Sequence, residues 1–224
     1  MPTPDDIRAA FDAGERGHAR RLAKELASTV AADVWLAVAE ILNEHGMTAP
    51  LVDLWRKRRD MLGLGAGERG PFATTLNSFA MEHMREGRAD EALKLLDEAL
   101  EEHDAPFIRR NIASALLHKG EFVTALAEID SVLTIEPNDP DSLLLLGIAR
   151  YQSGDPELAV EPLEAAGDSA DALLWLLKTL CLLQRLDSAR AVLTRLKLEH
   201  ADRADAMLEI ELQEPGSPLH ALDE

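Results

Sequence analysis

Gly87-Arg-Ala-Asp-Glu-Ala92, followed by Leu93, Leu96 and Leu100, sets the architecture of this chain. The glycine closes one helix, because glycine takes the left-handed backbone conformation that other residues resist. Acids then open the next helix at its positive end. The alanine marks a place where two helices cross closely, and the leucines recur at helical spacing. The signature returns as Gly120-Glu-Phe-Val-Thr-Ala125, with Leu126, Ile129 and Leu133, and as Gly154-Asp-Pro-Glu-Leu-Ala159. The three alanines stand 33 and 34 residues apart. A weaker copy, Gln184-Arg-Leu-Asp-Ser-Ala189, follows after 30 residues. Upstream, Gly14-Glu-Arg-Gly-His-Ala19 and Gly46-Met-Thr-Ala-Pro-Leu51 have the same shape. A period of this length is the mark of an array of stacked helix pairs.

Composition agrees. Of 224 residues 46% are hydrophobic, enough for a core and against global disorder. Aromatics are only 4%; the chain relies on Ala and Leu, both strong helix formers. Alternating β-branched runs are missing. A net charge of −18 disfavours nucleic-acid binding and would speed encounter with a basic partner. The single cysteine, Cys181, lies in the apolar run 180–183 and reads as a buried, inert thiol. The start, Met1-Pro-Thr-Pro-Asp-Asp, lacks a basic region followed by an apolar stretch. No run of about 18 apolar residues exists, so membrane insertion is not expected. These features predict a cytoplasmic location.

The helix pairs resemble tetratricopeptide repeats, whose pattern is W-x₂-L-G-x₂-Y, then A-x₃-F, then P. Trp35, Val38, Ala39 and Leu42 match the first-helix pattern, with Trp55 in the second helix. Leu76, Phe79 and Ala80 match it again, followed by Ala92 and Leu96. Ile112, Ala113 and Leu116 precede Ala125, Ile129 and Pro137. Leu143, Leu146 and Gly147 precede Ala159 and Leu163, and Leu173, Leu176 and Leu177 precede Ala189 and Leu193. The match is specific over residues 73–167 and looser elsewhere.

The resemblance implies an all-α, right-handed superhelical solenoid of about six antiparallel helix pairs. It divides the chain into degenerate pairs over 1–66, repeats over 67–203 (units 73–105, 106–139, 140–167 and 170–203), and a capping helix with an acidic tail over 204–224. Leu51 and Gln184 stand where Ala and Gly are expected, and Pro162 should kink or shorten its helix. Gly63-Leu-Gly-Ala-Gly-Glu-Arg-Gly-Pro71 reads as a flexible joint.

No catalytic or cofactor constellation is visible, and no metal-ligand spacing: G-x-x-x-x-G-K-[ST] and G-x-S-x-G are missing. Seven histidines are scattered, most near expected helix carboxyl ends, where a cationic ring is mildly favourable. The acids Asp97, Glu98, Glu101 and Glu102 read as a solvated helix face.

In tetratricopeptide proteins the first helices line a concave groove. Residues between the packing positions of each first helix are therefore the expected partner contacts. They are Asn77, Met81 and Arg85; then Arg110, Asn111, Ser114 and His118; then Leu145, Ile148, Tyr151 and Gln152; then Trp175 and Lys178. Ser78, Leu144 and Leu174 fall in the same class. Asn and Arg suit a peptide backbone or carboxylate, while Leu145, Ile148, Tyr151 and Trp175 form an apolar stretch. Asn111 fits one place of the carboxylate-clamping set found in some members, but Asp141 and Leu145 stand where basic groups are needed, so that clamp is not expected here. The expected function is non-catalytic: an adaptor or scaffold that binds a segment of a protein partner, with a charge that suits a basic one. The alternative is a dedicated chaperone for a secreted or assembling client.

Overall fold

The computed structural model describes residues 1–222, so the end of the expected acidic tail, Asp223 and Glu224, lies outside the described residues. These residues form thirteen α-helices and one 3₁₀ turn, with no strand. They divide into two compact units, Met1–Asn111 and Ile112 onward.

The first unit holds α1 (Pro4–Asp12), α2 (Arg16–Leu26), α3 (Ala32–Glu44), α4 (Thr48–Leu62), α5 (Ala66–Arg85) and α6 (Ala89–Glu102). The division falls within α7 (Pro106–Lys119). The second unit continues with α8 (Phe122–Ile135), α9 (Pro140–Gln152), α10 (Pro156–Ala165), α11 (Ala170–Leu182), α12 (Leu186–Glu199) and α13 (Ala201–Gln213), then the 3₁₀ turn Pro218–Leu222.

Within each pair the turn is stereotyped. Arg88 donates its backbone N–H to the His83 carbonyl, Glu121 to Leu116, Asp155 to Arg150 and Arg185 to Leu180, each at 2.9 Å. These bonds satisfy carbonyls at the end of the first helix and require a left-handed residue between. Gly120 supplies it with φ 76°, whereas Gln184 is held at φ 56° against the preference of a side-chain-bearing residue. Ala92, Ala125, Ala159 and Ala189 are fully buried, as the helix-crossing reading predicts, and Leu51 is buried at the equivalent place. Side-chain caps start several helices: Thr3 accepts from the Asp6 N–H, Asp139 from Ser142 and Ser169 from Ala172.

Aromatic residues concentrate in the core of the first unit. Trp35 and Trp55 meet edge to face at 5.2 Å, and Trp55 stacks on Phe72 at 5.7 Å. Arg58 lies beside them, only 4% exposed. Its guanidinium sits 5.8 Å from the Trp35 ring centroid. Its Nε donates to Glu68 Oε1 at 2.6 Å, and one Nη donates to the carbonyls of Ala27 and Val30 at 3.2 and 3.0 Å. One side chain thus ties the end of α2 to α4 and α5.

Glu68 also corrects the expected joint. Only residues 63–65 lie outside helix, and α5 starts at Ala66 although Gly67, Gly70 and Pro71 follow. The Glu68 carboxylate accepts the Gly65 N–H at 3.0 Å, closing the helix start. Burial of Phe72, Ala73 and Leu76 on the same helix offsets the one ladder bond that Pro71 removes.

The acidic face of α6 is a second correction. Glu98 and Glu102 are not solvated: their side chains are 18% and 9% exposed. Arg56 and Arg59 reach Glu98 at 2.5 and 2.9 Å, while Arg59 and Arg69 both reach Glu102 at 3.2 Å. Burial would raise the Glu98 carboxyl, but its bonds and charge pairing with Arg56 and Arg59 outweigh this and hold it below its ordinary value of 4.5. A depressed folded-state value stabilises above the unfolded-state value and is lost as pH falls through the folded one. Unfolding free energy should therefore drop as pH falls below about 4.5. Glu98→Gln should flatten that acid limb in denaturant titrations; an unchanged limb would contradict the assignment.

In the second unit α10 has 10 residues where α8 has 14, in line with the interruption by Pro162. Its Leu163 is packed against Gly147 of α9 so closely that a methyl group there would overlap the Leu163 side chain. Gly147→Ala should cost about 1–3 kcal/mol through overpacking. Thermal melts would check this, and a midpoint equal to wild type would mean that Leu163 has room to move. The core continues through Leu173, Leu177, Cys181, Leu196 and Leu208 to Leu219 of the 3₁₀ turn. Burial pushes the Cys181 thiol up from its ordinary value.

Candidate functional site

Three helices of the second unit bring the expected contact residues together. Ser114 and His118 of α7, Leu145, Ile148 and Gln152 of α9, and Trp175 of α11 line one cleft of about 310 Å³. The spacing explains the convergence. Residues three, four and seven apart share a helix face. Ser114 and His118 repeat in this way on α7, and Leu145, Ile148 and Gln152 on α9. Leu117 completes the wall. Leu117 adjoins the packing residue Leu116 and so looks like core in the sequence, although it lies three residues from Ser114.

The cleft has a polar rim and an apolar floor. His118 Nδ1 lies 2.8 Å from the Ser114 carbonyl, so that nitrogen carries the proton and Nε2 is left to accept. Leu145, Ile148 and Trp175 are each partly exposed. Leu174 is a correction: it is only 8% exposed and belongs to the core.

Trp175 is fixed from behind. Tyr151 meets it edge to face at 5.4 Å, and the Lys178 ammonium lies 4.5 Å from its ring centroid. Lys178 is in turn paired with Glu211 of α13 at 2.7 Å. Tyr151 and Lys178 line a second cleft, of about 400 Å³, with Ile210, Glu211 and the segment 214–218. Burial, and next the Glu211 charge, hold the Tyr151 hydroxyl above its usual range. The last helix and turn of the chain thus brace this end. Glu211 carries no signal in the sequence, where 204–224 reads only as a capping helix and acidic tail.

The remaining candidates belong to the first unit. Asn111 Nδ2 donates to Asn77 Oδ1 at 2.7 Å, joining α7 to α5. This bond leaves the Asn77 amide hydrogens and the Asn111 carbonyl for another molecule. Met81 is partly buried and Arg85 exposed. Arg110 is partly buried and already engaged within the chain, so it is not the free anchor the sequence suggested. Among the described residues no three His, Cys, Asp or Glu side chains gather to hold a metal ion. No helix among them is long and apolar enough to cross a membrane.

Residues 78–142 match the family model of the tetratricopeptide repeat. No curated protein sequence matches the chain. Among solved structures, MamA (41-end) from Desulfovibrio magneticus RS-1 is similar with a TM-score of 0.61 and 14% identity, over 80% of this chain and 96% of that one. PilW, described as a widely conserved type IV pilus biogenesis factor, has a TM-score of 0.60 and 17% identity, over 90% and 94%. YrrB, described as a TPR protein with an unusual peptide-binding site, has a TM-score of 0.59 and 14% identity, over 77% and 89%. At such identities the likeness is one of fold.

Proposed function

From the match of residues 78–142 to the tetratricopeptide repeat model and a fold similar to such proteins, we propose a non-catalytic scaffold that holds a segment of a partner protein in the α7–α9–α11 cleft. One observation carries this reading. Six side chains picked out as not needed for packing, on three successive first helices, line a single cleft. Leu145, Ile148 and Trp175 are there only partly buried, so each keeps apolar surface open to a guest. Such apolar surface with a polar rim is what protein contacts use.

The cleft suits an extended segment or one face of a helix. Apolar side chains of the guest would meet Leu145, Ile148 and Trp175. Its backbone or polar groups would meet Ser114, Gln152 and the free imidazole nitrogen of His118. The Asn77–Asn111 amide pair offers a further place for a peptide backbone. Solved tetratricopeptide structures include one described as having a peptide-binding site, which makes a peptide-like guest a reasonable class.

A photo-cross-linking residue placed at Gln152 should trap the partner in the native cell. The same residue at Glu161, exposed on α10, should not. Equal trapping at both positions would argue against the cleft. Trapped clients that stay soluble when this chain is removed support a scaffold; clients that aggregate support a chaperone.

A further inference from the structure

We propose that a second, basic cleft on the first unit, between α2 and α4, docks an acidic segment of a partner protein. Gly17, Arg20, Arg21 and Lys24 of α2 face Pro50, Asp53, Leu54 and Lys57 of α4 across a cleft of about 330 Å³. Both sets follow the three-four-seven spacing that puts residues on one helix face. Each helix therefore turns one continuous face toward the cleft.

The charge of that face is the reverse of the chain's. Acids outnumber Lys and Arg by 41 to 23 overall. Yet four cations and one carboxylate, Asp53, line this cleft. Many of the unit's other cations are spent on internal pairs: Arg8 with Glu44, Arg56 and Arg59 with Glu98, Arg58 with Glu68, Arg69 with Glu102, Arg109 with Asp104. Arg20, Arg21 and Lys24 are exposed, and among the described residues their side chains make no ion pair or hydrogen bond. In a chain this rich in carboxylates, three clustered cations without one are free to serve a carboxylate from outside. Lys57 leans to the same place, 3.4 Å from the Lys24 carbonyl and from Ser28 Oγ.

The floor narrows the class of guest. Gly17 has no side chain and nothing within 4 Å of where one would stand. Pro50 adds partly exposed apolar surface beside the cations, over Leu54, which is only 6% exposed. A short segment with carboxylates flanking an apolar side chain matches both features: Arg forks take carboxylates in pairs, and Pro50 meets the apolar group. A long polyanion fits poorly, because beyond the cleft it meets a surface whose net charge repels it. Screening over roughly 8 Å keeps the local attraction intact for a short guest.

The test uses the full chain and a fluorescein-labelled synthetic peptide of alternating Glu and Leu, read by anisotropy. Wild type should bind, and binding should weaken about tenfold between about 50 and 300 mM salt. The triple variant Arg20→Glu, Arg21→Glu, Lys24→Glu should lose at least about tenfold in affinity while keeping its helical circular dichroism, since exposed positions tolerate change. Glu161→Ala, exposed on α10 and outside both clefts, should bind this peptide as wild type does. The proposal is overturned if wild type does not bind the peptide, or if the triple variant binds it equally. It is also overturned if a single-stranded oligonucleotide or anionic vesicles bind through these residues in preference to the peptide.

Discussion

Arg58→Leu is expected to destabilise the first unit by about 3–5 kcal/mol, the usual cost of stranding one member of a buried ion pair. The geometry sets the size. Arg58 is almost wholly enclosed and serves Glu68, Ala27, Val30 and the Trp35 ring at once. Removing it leaves the Glu68 carboxylate buried at 6% side-chain exposure with no cation in reach, beside two helix-end carbonyls deprived of a donor. The double variant Arg58→Leu, Glu68→Leu removes the stranded charge and should recover part of the loss. It should not recover all, because the carbonyls of Ala27 and Val30 stay unpaired at about 1–3 kcal/mol. Urea denaturation of the two variants and of Glu68→Leu completes the cycle. A loss under about 1 kcal/mol for Arg58→Leu would show that water reaches the pair and that α2, α4 and α5 are held by apolar packing alone.

Trp175→Ala is expected to weaken partner binding by about 2 kcal/mol or more, roughly thirtyfold, in calorimetric titration. The indole is positioned before any guest arrives: Tyr151 holds one edge, and Lys178, itself fixed by Glu211, covers a face. A preset aromatic anchor loses little conformational freedom on binding, which is why such residues dominate interfaces. Part of the effect could come from loosened packing, because Trp175 also packs against the core. Gln152→Ala separates the two, since this exposed residue lines the same cleft and touches no core. It should reduce affinity without changing the melting midpoint. If neither substitution alters binding, the partner sits elsewhere.

The helix pairs were readable because their signals are local. A turn glycine, a crossing alanine and leucines at helical spacing lie within one stretch of about fourteen residues, as α6 shows. The cleft was readable for a related reason: residues between packing positions on successive first helices must share a face. What escaped depends on which chain segments become neighbours. Glu98 and Glu102 look like a solvated stripe until α4 places Arg56 and Arg59 against them. Arg110 looks like a free anchor because periodicity says which way a residue points, not what stands opposite. The stretch 63–71 looks like a joint because its composition is that of a loop. The Arg58–Glu68 pair, which ties α4 to a residue inside that stretch, accompanies an α5 that starts at Ala66.

Hydrogen–deuterium exchange of the full chain, with and without the partner trapped at Gln152, tests the central claim most directly. Bound partner should slow exchange in the segments around Ser114–His118, Leu145–Gln152 and Trp175, and leave α8, α10 and α12 unchanged. Protection confined to α8, α10 and α12, with the cleft segments exchanging as in the free chain, would contradict it.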